Sequence, residues 1–147
     1  MRAPFQVLII PFKFTATGLK FAIFKRSDIC FWQFIAGGGE DNETPLQAAY
    51  REMKEETGVS AKKLIPLDSI TTIPRFLFNN TEHWGSNIYV IPEHCFAVDV
   101  NEEGLRLSSE HTEFQWVKYQ DAFDLLKWDS NRNALWELNE KLEHKRT

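Results

Sequence analysis

Residues 37–59 read Gly-Gly-Gly-Glu-Asp-Asn-Glu-Thr-Pro-Leu-Gln-Ala-Ala-Tyr-Arg-Glu-Met-Lys-Glu-Glu-Thr-Gly-Val. Three glycines end an apolar run, and a polar turn leads from them into a helix. Thr44 followed by Pro45 suits the opening of that helix, because threonine caps the free N–H groups and proline has its backbone angle already set. Gln47, three residues on, completes a capping box. Gly58 suits the left-handed position that closes a helix. Each helical residue advances about 100°, so Glu52, Glu55 and Glu56 share one stripe. Leu46, Ala49 and Met53 form a neighbouring stripe and are expected to face the core. The helix is thus expected to dock on a sheet while aiming three carboxylates into a cleft.

Three acids packed this closely repel and raise each other's pKa values unless a cation sits among them. Mg²⁺ fits such a set, being hard, oxygen-seeking and commonly shared between carboxylates and substrate phosphates; Mn²⁺ is the alternative. Gly37, with no Cβ, lets the backbone approach a metal or phosphate closely. It is counted with Glu52, Glu55 and Glu56 as a metal candidate. The competing explanation is a solvated acidic helix face. Arg51 is expected to pair with a carboxylate, with Glu43 as the candidate partner.

The spacing G-x5-E-x7-R-E-U-x-E-E-x-G-U (U aliphatic), carried by Gly37, Glu43, Arg51, Glu52, Met53, Glu55, Glu56, Gly58 and Val59, resembles the Nudix box at every fixed position. The resemblance implies an α+β chain folded as an α/β/α sandwich with a mixed central β-sheet. It implies metal binding by the box glutamates, a catalytic group of Arg51, Glu52, Glu55 and Glu56, and Glu52 as general base in some members. It also implies hydrolysis of a nucleoside diphosphate linked to another group. The segment 108–117, Ser-Ser-Glu-His-Thr-Glu-Phe-Gln-Trp-Val, resembles a region of bacterial members in which a glutamate reaches the metal. That makes Glu110 a further metal candidate, with Glu113 as its competitor. Segments 31–34 and 128–135 resemble the bacterial branch that acts on (deoxy)nucleoside triphosphates or dihydroneopterin triphosphate. The expected reaction is hydrolysis to the monophosphate and pyrophosphate. Alternatives are a housecleaning hydrolase of diadenosine polyphosphates, oxidised nucleotides or nucleotide sugars, and a sensor that binds a nucleotide without turnover. The intact box argues against the sensor.

The remaining chain is consistent with one domain over 1–147. Its 147 residues are 43% hydrophobic and 14% aromatic, with a net charge of −4. No basic stripe of the kind that grips nucleic acid is present. The apolar run 5–12 is too short to span a membrane, so a cytoplasmic protein with a small nucleotide or pterin partner is expected, as monomer or homodimer. Cys30 and Cys95 suit a reducing compartment and are each expected to be buried free thiols. Strands are expected at 4–14, 21–25, 31–36, 63–73, 87–91, 95–100 and 114–117, and helices at 119–128 and 131–144. Outside the box, Arg26, Asn131 and Arg132 are candidates for binding substrate phosphates, through guanidinium forks and a helix N-terminus. Trp32, Phe78 and Trp84 are candidates for stacking on the substrate ring.

Overall fold

The computed structural model describes residues 1–28, 30–101, 104–108 and 111–146. Strand β1 (Arg2–Thr15) is buried without interruption from Val7 to Phe12, as a central strand covered on both faces must be. Along one edge it pairs in parallel with β6 (Val90–Asp99). Along the other edge it pairs antiparallel with β4 (Ile35–Glu40) through its first half and with β2 (Gly18–Arg26) through its second. Strands β3 (Trp32–Gln33) and β7 (His111–Val117) extend the sheet from β2, and β5 (Ile65–Pro74) flanks β6. Among the described residues the sheet has seven strands.

Side chains alternate across a strand, and β1 divides the core accordingly. Val7 and Ile9 meet Ala48, Ala49 and Met53 of helix α1 (Pro45–Thr57). Leu8, Ile10 and Phe12 meet Ala122 of α2 (Tyr119–Leu125) and Ala134, Leu135, Leu138 and Leu142 of α3 (Asp129–Arg146). The sheet therefore lies between two helical layers, as an α/β/α sandwich. No helix among the described residues is long and apolar enough to cross a membrane.

Several boundaries differ from the sequence reading. The run 31–36 breaks at Phe34, whose N–H donates to Asn131 Oδ1 at 2.8 Å. The runs 87–91 and 95–100 belong to one strand, β6. Pro92 is tolerated there because it stands one residue before the β1 pairing begins at Gln6–Glu93, so its missing N–H interrupts no ladder on that side. The helix expected at 119–128 stops at Leu125, and Leu126 instead bridges to Trp32. Cys30 is exposed, in the loop between β2 and β3, whereas Cys95 is buried and its thiol is pushed up to about 12, first by burial and then by Glu93 and Glu137.

Helix α3 is tied to β5 where the β5–β6 register shifts between Pro66 and Ile70. Glu137 accepts the N–H groups of Asp68 (2.6 Å) and Ser69 (2.7 Å), the Ser69 hydroxyl (2.6 Å) and the Lys141 ammonium (2.7 Å). Burial pushes this carboxyl up, but those donors outweigh it and hold it at about 2, against an unperturbed 4.5. A depressed folded pKa stabilises above the unfolded value and is lost as pH falls through the interval between the two. Glu137→Gln is therefore expected to cost about 1–2 kcal/mol near neutral pH, after discounting for partial solvent screening. The gap to wild type should close as the pH is lowered from about 5 towards 2. Urea titrations at neutral and acid pH measure both.

Candidate active site

Gly37 of β4 sets the approach of helix α1 to the sheet, and Gly38 and Gly39 make room for side chains of β1. A Cβ on Gly37 would stand 2.1 Å from Glu52 Cδ, and one on Gly39 would stand 2.0 Å from the Phe5 ring. The helix thus lies closer to β4 than a strand with side chains would permit. This corrects the two-stripe reading of α1. Ala48, Ala49, Glu52, Met53, Glu56 and Thr57 are all buried, and together they span one sector of about 180°. Two of the acids share the docking face, and Glu52 is lodged where Gly37 leaves room. Leu46, expected in the core, is exposed; its angle matches that of Met53, but it lies in the first turn. The caps are as the sequence implied: Thr44 Oγ accepts from Gln47 N, Gln47 answers to Thr44 N, and Gly58 adopts φ 76°.

Arg51 holds this arrangement together. Its fork takes Glu43 in two bonds (2.8 and 2.9 Å), and Nη2 also donates to the Gly38 carbonyl at 2.8 Å. Nη1 donates to Glu52 Oε1 (2.9 Å) and Glu55 Oε2 (3.2 Å). One guanidinium therefore joins the turn, the glycine strand and the acidic helix, using a planar fork that lysine lacks.

The three glutamates occupy different environments. Glu52 is 8% exposed. Its carboxyl is pushed up to about 7 by burial; Arg51 opposes that rise, and the charges of Glu55 and Glu56 add to it. Glu56 is 5% exposed and accepts from Ser108 Oγ at 2.5 Å. His111 Nδ1 stands 3.2 Å from Glu56 Oε2, close enough for electrostatic pairing yet off-line for a hydrogen bond. Glu55 sits at the rim with its side chain 53% exposed.

Glu52, Glu55, Glu56 and Gly37 line a cleft of about 790 Å³, together with Arg2, Arg26 and Phe78. As they stand, no three His, Cys, Asp or Glu side chains among the described residues converge tightly enough to hold an ion. Glu52 is turned to Arg51, and Glu56 to Ser108. The donor set nevertheless fits a hard divalent cation, being carboxylate oxygens on one cleft wall with a buried member that favours a nearby positive charge. Gly37 is expected to matter through its missing Cβ. Gly37→Ala should displace the Glu52 carboxylate by more than about 1 Å and lower kcat by about 10²-fold, while a melting curve shows the fold retained.

A second cavity of about 500 Å³ adjoins the cleft, sharing Gln6, Arg26, Ala36, Leu77 and Phe78 with it and reaching Gln33, Glu93, Trp128 and Asn131. Arg26 lies on the shared wall and pairs with Asp28 through two bonds of 2.9 Å. Asn131 is buried in the second cavity. Arg132, Trp32 and Trp84 line neither space. Arg132 is held by Asp129 and the Leu126 carbonyl. Trp32 packs against the core under the Lys25 ammonium. Trp84 is buried, its indole N–H donating to the Arg2 carbonyl at 2.7 Å. Glu110 lies outside the described residues; Glu113 pairs with Lys25 at 3.3 Å.

Arg2 is a cleft residue that the sequence reading passed over. Its guanidinium lies against Gly38, stacks 4.5 Å from the Phe78 ring centroid and donates to Gln6 Oε1 at 3.0 Å. Its Nε is buried without a partner. Burial lowers its pKa and the nearby Glu52 charge raises it. The available signal was two polar residues, Arg2 and Gln6, on one face at the head of an otherwise apolar central strand.

The NUDIX domain family matches residues 9–137. Among similar curated proteins is the dihydroneopterin triphosphate diphosphatase of Escherichia coli K12, 32% identical over 114 residues, 76% of each chain. Another is the asymmetrical bis(5'-nucleosyl)-tetraphosphatase of Rattus norvegicus, 29% identical across 90% of this chain and 86% of that one. A crystal structure described as a NUDIX hydrolase from Listeria monocytogenes superposes with a TM-score of 0.89 at 44% identity, covering 97% of both chains.

Proposed function

The chain belongs to the Nudix family of hydrolases, and we propose that within it the protein hydrolyses a nucleoside or pterin triphosphate to the monophosphate and pyrophosphate. The observation that carries this reading is the continuity of two spaces. The carboxylate cleft opens into a cavity sized for a ring system and lined by Phe78, Trp128 and Asn131. A triphosphate with a flat ring at one end matches that shape.

Members of this family use divalent metal ions. Here Glu52, Glu55, Glu56 and the Gly37 backbone would hold Mg²⁺ or Mn²⁺, with Glu110 as a further candidate. When bound, the metal supplies neutralisation of phosphate charge and electrophilic assistance to water attack. The chain's own groups do the rest. Glu52, placed by Arg51 and poised near neutral pH, takes the proton of the attacking water. Ser108 holds Glu56 in place, with His111 packed beside it. Arg2 and Arg26 flank the cleft on the side a phosphate chain would follow.

A second reading is cleavage of a dinucleoside polyphosphate, favoured by the similarity to the tetraphosphatase over nearly the whole chain. Steady-state turnover with Mg²⁺ across nucleoside triphosphates, dihydroneopterin triphosphate and diadenosine tetraphosphate separates the two. The best triphosphate is expected to exceed diadenosine tetraphosphate in kcat/KM by at least about tenfold; the reverse order would favour the second reading.

A further inference from the structure

Resting on the triphosphate reading above, we propose that Glu93 reads the substrate's ring, accepting the adjacent ring N–H and exocyclic amino group of a 2-amino-4-oxopyrimidine edge, the edge that guanine and pterins share. Gln6 and Arg2 position it from the phosphate end.

Glu93 faces Gln6 across the parallel β1–β6 pairing. It is 4% exposed, yet it lines the ring-sized cavity. Gln6 Nε2 donates to its Oε2 at 2.8 Å, while Gln6 Oε1 accepts from Arg2 Nη2 at 3.0 Å. Arg2 has only donors, so the Gln6 amide has one orientation, with its NH₂ on Glu93. The other carboxyl oxygen of Glu93 has no donor among the described residues. Burial raises this carboxyl above its usual range, which shows how costly the charge is until further donors reach it.

The two side-chain amide oxygens nearest the ring end of the cavity, on Asn131 and Gln33, are engaged. Asn131 Oδ1 takes the Phe34 N–H, and Gln33 Oε1 takes the Trp128 indole N–H at 3.2 Å. Arg26, the cation on the shared wall, is paired with Asp28. A ligand entering this cavity therefore meets an acceptor that lacks donors, beside Phe78 and the half-exposed ring of Trp128. Adenine and cytosine place a ring acceptor beside their amino group, so one lone pair would face the carboxylate. Uracil and thymine offer a single N–H between two carbonyls. The 2-amino-4-oxo edge alone offers two neighbouring donors, matching the geometry of a carboxylate. The chain Arg2–Gln6–Glu93 then connects the phosphate end of the trough to its ring end.

The test compares guanosine, inosine and adenosine triphosphates with wild type and Glu93→Gln. Inosine keeps the ring N–H and lacks the amino group. Wild type is expected to prefer GTP over ITP by about tenfold or more in kcat/KM, because the missing amino group leaves a buried acceptor unpaired. An amide at position 93 presents one acceptor and one donor, so the variant should lose the GTP:ITP preference. Its GTP:ATP ratio should fall by about 10²-fold, and adenine turnover should rise. A merely structural glutamate would lower all three substrates together. Equal GTP and ITP turnover by wild type, a comparison needing no variant, would overturn the proposal, as would unchanged ratios in Glu93→Gln. If wild type released pyrophosphate from no triphosphate, the reaction assignment would fall instead. Calorimetric binding of GMP and IMP would then decide the subsite alone: tighter GMP binding, lost in Glu93→Gln, supports it, and equal binding sinks it.

Discussion

Glu52→Gln should lower kcat by about three orders of magnitude while leaving the metal-free protein at least as stable as wild type above neutral pH. The first effect follows from position. Glu52 fills the space left by Gly37 and is oriented by Arg51, and an amide there cannot accept a proton from water. The second follows from burial. Its carboxyl is pushed up to about 7 from 4.5, so the folded state holds a proton that the unfolded chain has released. Stability is then fully present below the unfolded value and falls as the pH rises through this interval. Once fully ionised, the side chain costs the metal-free fold about 2–3 kcal/mol. Glutamine keeps an oxygen for Arg51 and removes that cost. Melting temperatures at about pH 5 and pH 8, with turnover measured alongside, check both effects. A variant that is inactive and also unfolded would assign Glu52 a structural role only.

Arg51→Met should be the more damaging substitution for the fold. It removes five hydrogen bonds from one guanidinium and leaves Glu43 and Glu52 close together without their counter-charge. Breaking a partly buried network of this kind costs about 2–4 kcal/mol. Arg51→Lys should recover less than half of that, since a point charge cannot serve Glu43 in two bonds while also reaching Gly38 and Glu52. Urea denaturation gives both values. A change below about 1 kcal/mol in Arg51→Met would mean the network is a surface feature of little consequence.

The contrast between the helix α1 and the trough shows which features a sequence exposes. Thr44, Gln47 and Gly58 announced the helix ends because caps are made between residues a few positions apart. The Arg51–Glu43 pair is legible for a similar reason, its members being eight residues apart across one turn. The burial of Glu52 depends instead on Gly37 of β4 lying beneath it, and that of Glu56 on Ser108 and His111 far along the chain; periodicity within the helix carries no information about either. Trp84, a stacking candidate by residue type, lies instead in the interior. His83 and Trp84 both bond to the Arg2 carbonyl, and this draws the loop down onto β1 and buries the indole. The Gln6–Glu93 bond joins residues 87 positions apart. It exists because β1 and β6 are parallel neighbours, a relation fixed only once the whole sheet has formed.

The decisive measurement is ³¹P NMR of the products formed from the best triphosphate substrate with Mg²⁺, by wild type and by Glu52→Gln. Wild type should yield the nucleoside or pterin monophosphate together with pyrophosphate, and Glu52→Gln should yield neither on the same timescale. Orthophosphate with a diphosphate, or wild-type rates from the variant, would contradict a pyrophosphohydrolase built on the buried glutamate of α1.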